Sequence, residues 1–194
     1  MNTRILGVDP GSHKTGWAVV DMRPDGSVSH VDNGVVVAPG QAALALRLTH
    51  IAAGLVDVIA RYTPAVCSVE TAYQAKNPRS ALILGQARGA ALLTCAQAGL
   101  TVFEYGPMQV KLAVTGSGRA SKESVQHMVA TLVGLPEIAQ QDASDALANA
   151  LTHAYLARRP QAVRDAQPKG PTRRAKQSQR GAWEQLLRAR GVVV

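Results

Sequence analysis

The 194-residue sequence predicts an α/β domain with a five-stranded mixed sheet, three antiparallel strands first, flanked by helices. Three observations lead there. The first forty residues hold short apolar runs separated by turn signals. From Leu44 the apolar residues switch to helical spacing. Beyond Pro64, short buried runs alternate with longer helical stretches, the pattern of strands joined by helices.

The elements follow in order. Ile5–Val8 is a strand closed by Asp9–Pro10–Gly11, and Gly16–Val20 returns after a few residues as a hairpin partner. Asp25–Gly26 is a second turn, and Val31 to Val37 reads as the third strand. Leu44, Leu48, Ile51, Leu55, Val58 and Ile59 share one helix face, and Pro64 ends that helix. Ala65–Val69 is a buried strand that stops at Glu70. Ser80 to Ala98 is an Ala-rich helix with Gly99 as its cap, and Thr101–Glu104 is the fifth strand. A loop at Gly116–Ser117–Gly118 leads into a helix from about Ser121 to Val133, and a last helix covers Asp142 to Leu156. The expected order is βββαβαβαα. Residues 1–159 form the folded domain and 160–194 a basic tail without apolar periodicity, expected to be flexible, in which only Trp183–Leu187 has an amphipathic pattern.

The net charge is +8 and the pI about 10.0. The tail carries eight basic and two acidic residues, a net +6, so the body is almost balanced. This charge favours a polyanionic partner over a small neutral one. Hydrophobic residues make up 46%, enough for a packed core. The two cysteines, Cys67 and Cys95, lie in apolar runs and read as reduced core thiols. No apolar stretch reaches the length of a membrane span, and Met1–Arg4 leads too quickly into Ile5–Asp9 for a signal sequence. Cytoplasmic residence, with no membrane partner, is the expectation.

Four carboxylates stand out. Asp9 and Glu70 each end an apolar strand, where a buried charge is expensive unless compensated. Asp142 and Asp145 are three apart, so a helix puts them on one face. Neighbouring strand ends converge on one crevice in an open sheet. Four carboxylates there call for cations, and two Mg²⁺ ions would balance the charge with the hard oxygen ligands that Mg²⁺ prefers. Such a pair hydrolyses phosphodiesters. No Cys/His cluster has zinc-ligand spacing. Blander readings exist: Asp9 before Pro10–Gly11 is a common turn residue, and Asp142 with Asp145 fits a helix-capping pair.

Ile5–Ser12 with Thr15–Gly16 closely resembles the opening of the RuvC-type Holliday junction resolvases. So do Ala75–Lys76–Asn77, Ser80–Ala81–Leu82, Leu84–Gly89, Phe103–Glu104–Tyr105, Gln109–Val110–Lys111, Val125–Met128 and Asp142–Ala148. The resemblance covers residues 4–157 in the right order.

The resemblance implies an RNase H-like fold, a homodimer, and paired symmetric nicking of four-way DNA (Holliday) junctions in recombination and repair. The implied chemistry is two-metal-ion hydrolysis with Mg²⁺, or Mn²⁺ as a substitute, leaving a 5′-phosphate and a 3′-hydroxyl. The family's catalytic and metal-binding carboxylates fall on Asp9, Glu70, Asp142 and Asp145, and its basic residues near the scissile phosphate on Lys111 and Lys122. Its base-contacting aromatic falls on Tyr73, where Phe is the usual residue; Lys76 and Arg79 are expected DNA contacts beside it. A Tyr ring stacks on an unpaired base as well as Phe does, but adds a hydroxyl. The family also implies a branch-migration motor as a partner, and dimer packing by the helix around Gly85 and Gly89.

Taken one at a time, either lysine is an ordinary surface charge and Tyr73 an ordinary surface aromatic. Three other functions compete. One is an ATPase of the actin and Hsp70 type, whose phosphate loop also reads Asp-x-Gly, although such folds need a second half. The others are an RNase H-like nuclease acting on RNA–DNA hybrids and a non-catalytic DNA-binding protein.

Overall fold

The computed structural model describes residues 2–71, 77–138 and 140–157. Tyr73, Lys76, the boundary at 159 and the tail with Trp183–Leu187 lie outside them. The order is β1 (Thr3–Asp9), β2 (Lys14–Met22), β3 (Val28–Val37), α1 (Leu44–Tyr62), β4 (Val66–Glu70), α2 (Pro78–Gln97), β5 (Thr101–Tyr105), α3 (Pro107–Thr115), α4 (Lys122–Val133) and α5 (Gln141–Leu156). The sheet runs β3-β2-β1-β4-β5. β1, β2 and β3 are antiparallel neighbours, and β4 and β5 run parallel to β1. This is the mixed sheet the sequence predicts.

One helix went unpredicted. α3 occupies Pro107–Thr115, where the sequence suggests only a passage to the Gly-rich loop. It is nine residues long with little amphipathic pattern, so its start signals define it. Pro107 takes the first helical position, and Gln109 Oε1 accepts from the Gly106 N–H at 2.9 Å.

Side chains alternate across each strand, so a residue's parity decides which layer it joins. Leu6, Val8, Val19, Cys67 and Val69 pack with Ile51, Leu55, Ala91 and Cys95 of α1 and α2. Ile5, Ala18 and Val20 pack on the other face with α3, α4 and α5. Both cysteines are buried and free, as expected for core thiols. Asp9 shares parity with Ile5, and Glu70 with Ser68, whose hydroxyl donates to the Asn149 carbonyl of α5. Both strand-end carboxylates therefore belong to the α5 face.

α5 is buried on nearly every side from Ala143 to Ala154, as a helix between a sheet and other helices must be. Small residues let it come close. A Cβ on Gly7 would lie 2.0 Å from the Ala146 carbonyl oxygen, so only glycine fits there. Among the described residues no helix is long and apolar enough to cross a membrane.

Candidate active site

Asp9 is the last residue of β1, and Glu70 the last of β4. Those strands pair in parallel through Val8 and Val69, so the two carboxylates are the next residues in register. On its other side Asp9 pairs with Gly16 of β2. A Cβ on Gly16 would lie 1.9 Å from the Asp142 carbonyl oxygen. The missing side chain thus seats the first turn of α5 directly beside Asp9, and Asp145 follows one turn later on the same face.

The cap alternative fails for the helix aspartates. Gln140 is the N-cap residue of α5, and no side chain caps that end. Among the described residues no hydrogen bond holds the Asp9 carboxylate in a turn, and its perturbation comes from burial and from charge.

Two cations face the acids. Lys122, the first residue of α4, donates from Nζ to Asp145 Oδ2 at 2.8 Å. Lys111 of α3 lines, with Glu70, Lys122, Asp145, Val110 and Val125, an open pocket of about 240 Å³. Four of the expected residues line this pocket, and Asp9 and Asp142 act on it through their charge. Arg79, exposed on the first turn of α2, stands outside it.

The electrostatics are those of crowded anions. Burial, then Asp145, Glu70 and Asp142, push the Asp9 carboxyl up to about 7, with Lys122 opposing. Burial and Asp145 also raise Glu70, against Lys122 and Lys111. Burial works to lower Lys122, yet its hydrogen bond to Asp145 and the attraction of Asp145, Asp9 and Asp142 leave it above an ordinary lysine.

This donor set suits a hard divalent cation. The candidate ligands are carboxylate oxygens, and Asp9 is a sheltered carboxylate without a hydrogen bond among the described residues, which needs either a proton or a cation. Among the described residues, no three Asp, Glu, His or Cys side chains are gathered closely enough to enclose an ion as they stand. Lys122 occupies one oxygen of Asp145.

Residues that sequence reasoning passed over hold the site in place. Asn149 Nδ2 donates to the Val8 carbonyl at 2.8 Å, and Ser68 Oγ to the Asn149 carbonyl at 2.7 Å, pinning α5 to both strands, one residue from Asp9 and two from Glu70. Arg88 Nε donates to the Glu70 carbonyl at 3.2 Å while its guanidinium pairs with Glu104. The available signals were a polar Ser68 in an apolar strand and an Asn149 four residues past Asp145, on the same helix face.

The model of the family "Crossover junction endodeoxyribonuclease RuvC" matches residues 5–153. The crossover junction endodeoxyribonuclease RuvC of Geobacter metallireducens is 52% identical over 154 residues, covering 79% of this chain and 93% of that protein. The protein of the same name from Citrifermentans bemidjiense is 50% identical over 153 residues, covering 79% and 93%. The solved structure of T. thermophilus RuvC in complex with Holliday junction substrate superimposes with a TM-score of 0.75 at 36% identity, covering 80% of this chain and 95% of that one. The chain belongs to the RuvC family of crossover junction endodeoxyribonucleases.

Proposed function

We propose that this chain resolves four-way DNA junctions by hydrolysing one phosphodiester in each of two opposed strands. The observation that carries this is the convergence of Asp9, Glu70, Asp142 and Asp145, from two strand ends and one helix start, opposite Lys111 and Lys122. Family membership and the junction held by T. thermophilus RuvC support the substrate.

In this reading the four carboxylates hold two Mg²⁺ ions, with Mn²⁺ as a substitute. When bound, the ions supply an activated water and neutralise charge at the scissile phosphate. Asp9 is the carboxylate pushed up furthest, by burial and by the charges of Asp145, Glu70 and Asp142, and would be a ligand of the bound ions. Lys122 exchanges its partner Asp145 for the phosphate, and Lys111 faces it from α3; both offset charge that builds on phosphorus-bound oxygens. Breaking the P–O3′ bond with water leaves a 5′-phosphate and a 3′-hydroxyl, ends that a ligase rejoins. Tyr73, Lys76 and Arg79 contact the DNA in this reading, and the basic tail supplies either nonspecific phosphate contacts or solubility.

A homodimer supplies two such sites about a two-fold axis, matching the symmetry of an open junction. The outer face of α2 supports it. Leu82, Gly89 and Leu93 are exposed at helical spacing, and a Cβ on Gly89 would meet nothing within 4 Å. Gly89 therefore serves no close approach inside this subunit. A branch-migration motor is carried over from the family as a further partner.

The test is cleavage of a four-way junction, a linear duplex and an RNA–DNA hybrid, each with Mg²⁺ or with chelator. Paired nicks in the junction alone, abolished by chelator and by Asp9→Asn with junction binding retained, are expected. Preferred cleavage of the hybrid overturns the substrate. Binding without nicking overturns the catalytic reading.

A further inference from the structure

On the opposite side of the Asp9 turn lies a second open pocket of about 240 Å³, lined among the described residues by Ser12, His13, Arg47, Ser80, Ile83 and Leu84. Its chemistry is one-sided. The polar lining consists of a guanidinium, an imidazole and two hydroxyls, with no carboxylate.

Arg47 is the unusual member. It projects from α1, is only 8% exposed, and its Nε is buried without a hydrogen-bond partner. Its Nη1 contacts His13 Nε2, and no carboxylate pairs with it among the described residues. A buried guanidinium without an anion is expensive, whereas a phosphate oxygen pair satisfies its planar fork. The start of α2 adds to the field. Ser80 sits on the first turn of this 20-residue helix, Asn77 caps it, and the turn holds no acidic residue. A helix N-terminus favours an anion.

We propose that this pocket is a second anion subsite, filled by a backbone phosphate of the DNA substrate on the far side of the Asp9 turn from the carboxylates. The inference rests on the nuclease reading for the identity of the strand. Ser12 is three residues from Asp9, so their Cα atoms are at most about 11 Å apart. A strand lying across Asp9 has its neighbouring phosphates within that range. The pocket is open and small, suited to one phosphate group rather than a nucleotide. Arg47 anchors the phosphate, and Ser12, His13 and Ser80 donate around it. The subsite thereby fixes how far the strand advances before the scissile bond reaches the carboxylates.

The test uses the full chain and a four-way junction in chelator, with affinity measured across salt concentrations. Ser80→Asp places a carboxylate in the pocket at a helix position that tolerates one. It is expected to keep or raise Tm, weaken junction binding at least about tenfold, and flatten the log–log salt slope by about 0.9, the loss of one phosphate contact. Gln97→Glu, the same charge change at the far end of α2, leaves both values as in the unsubstituted protein. Arg47→Met gives the same loss of slope wherever it folds, and Ser80→Asp decides alone if it does not. Inorganic phosphate raises the Tm of the unsubstituted protein but not of Ser80→Asp. An unchanged affinity and slope in Ser80→Asp overturns the proposal. So does a phosphate-dependent Tm with an unchanged slope, which would make the occupant free phosphate. Failure of the unsubstituted protein to cut junctions in Mg²⁺ is read separately and counts against the nuclease reading alone.

Discussion

Asn149 of α5 donates from Nδ2 to the carbonyl oxygen of Val8, 2.8 Å away and one residue before Asp9. This buried bond ties the helix that carries Asp142 and Asp145 to the strand that carries Asp9, so the spacing of the acids depends on it. Asn149→Ala removes this buried bond, at a cost of about 0.5–1.5 kcal/mol. The expected result is a lower urea midpoint and a cleavage rate at saturating Mg²⁺ that falls more than junction affinity does. Equal losses in rate and affinity would reduce Asn149 to a packing residue.

The second relationship is steric. Gly16 touches the backbone of Asp142 so closely that an added methyl cannot fit without moving α5 or β2. Gly16→Ala is expected to cost at least about 1–3 kcal/mol, the range for an overpacked core, and to abolish most metal-dependent cleavage. Gly40→Ala is the contrast, because space is open at this exposed loop glycine, its φ is not positive, and alanine there lowers the entropy of the unfolded chain by about 0.4–1 kcal/mol. Its Tm should rise. Thermal melts and a nicking assay on both variants check the pair.

Much of this was legible in advance, for definite reasons. Asp9 and Glu70 announced themselves because each interrupts an apolar run, and a strand's period of two then fixed their common face. Asp142 and Asp145 were legible as a face of a helix, though not as free of capping duty, since caps are decided by one residue of local geometry. What stayed hidden was relational. Nothing in the sequence marks Gly16 as the seat of Asp142, or Arg47 as a buried cation facing Ser80, because those contacts join segments whose docking depends on the finished fold. α3 was missed because nine residues with weak periodicity carry less signal than the Pro107 and Gln109 that start it.

The Asp9 carboxyl gives a pH dependence with a definite sign. Its value rises from 3.8 to about 7 on folding, so between those limits the folded chain binds more protons than the unfolded one. Stability of the ion-free protein therefore falls as pH rises through about 4 to 7, by on the order of 4 kcal/mol at most from this group. Asp9→Asn reduces the slope to the part that Glu70 contributes and raises the Tm at pH 8, while losing cleavage. Mg²⁺ should recover the lost stability of the unsubstituted protein at pH 8 and leave Asp9→Asn nearly unchanged. Urea melts at several pH values, with and without Mg²⁺, test this. A flat profile in the ion-free protein would mean that Asp9 is not the strained member of the cluster.

Lys122 separates stability from catalysis. Its bond to Asp145 is short, but half of the lysine side chain is exposed to solvent, and such pairs contribute roughly 0–1 kcal/mol. Lys122→Ala should therefore shift the urea midpoint little, and in the absence of divalent ions it also deprives Asp9 and Glu70 of an opposing cation. If the ammonium offsets charge at the phosphate during hydrolysis, single-turnover cleavage should slow by on the order of 10²-fold, with junction affinity reduced far less. Lys122→Arg keeps the charge but not the compact ammonium, so partial recovery of rate is expected. A rate loss matched by an equal affinity loss would assign Lys122 to simple phosphate binding, because a group acting on the transition state lowers the rate beyond what it takes from the bound junction.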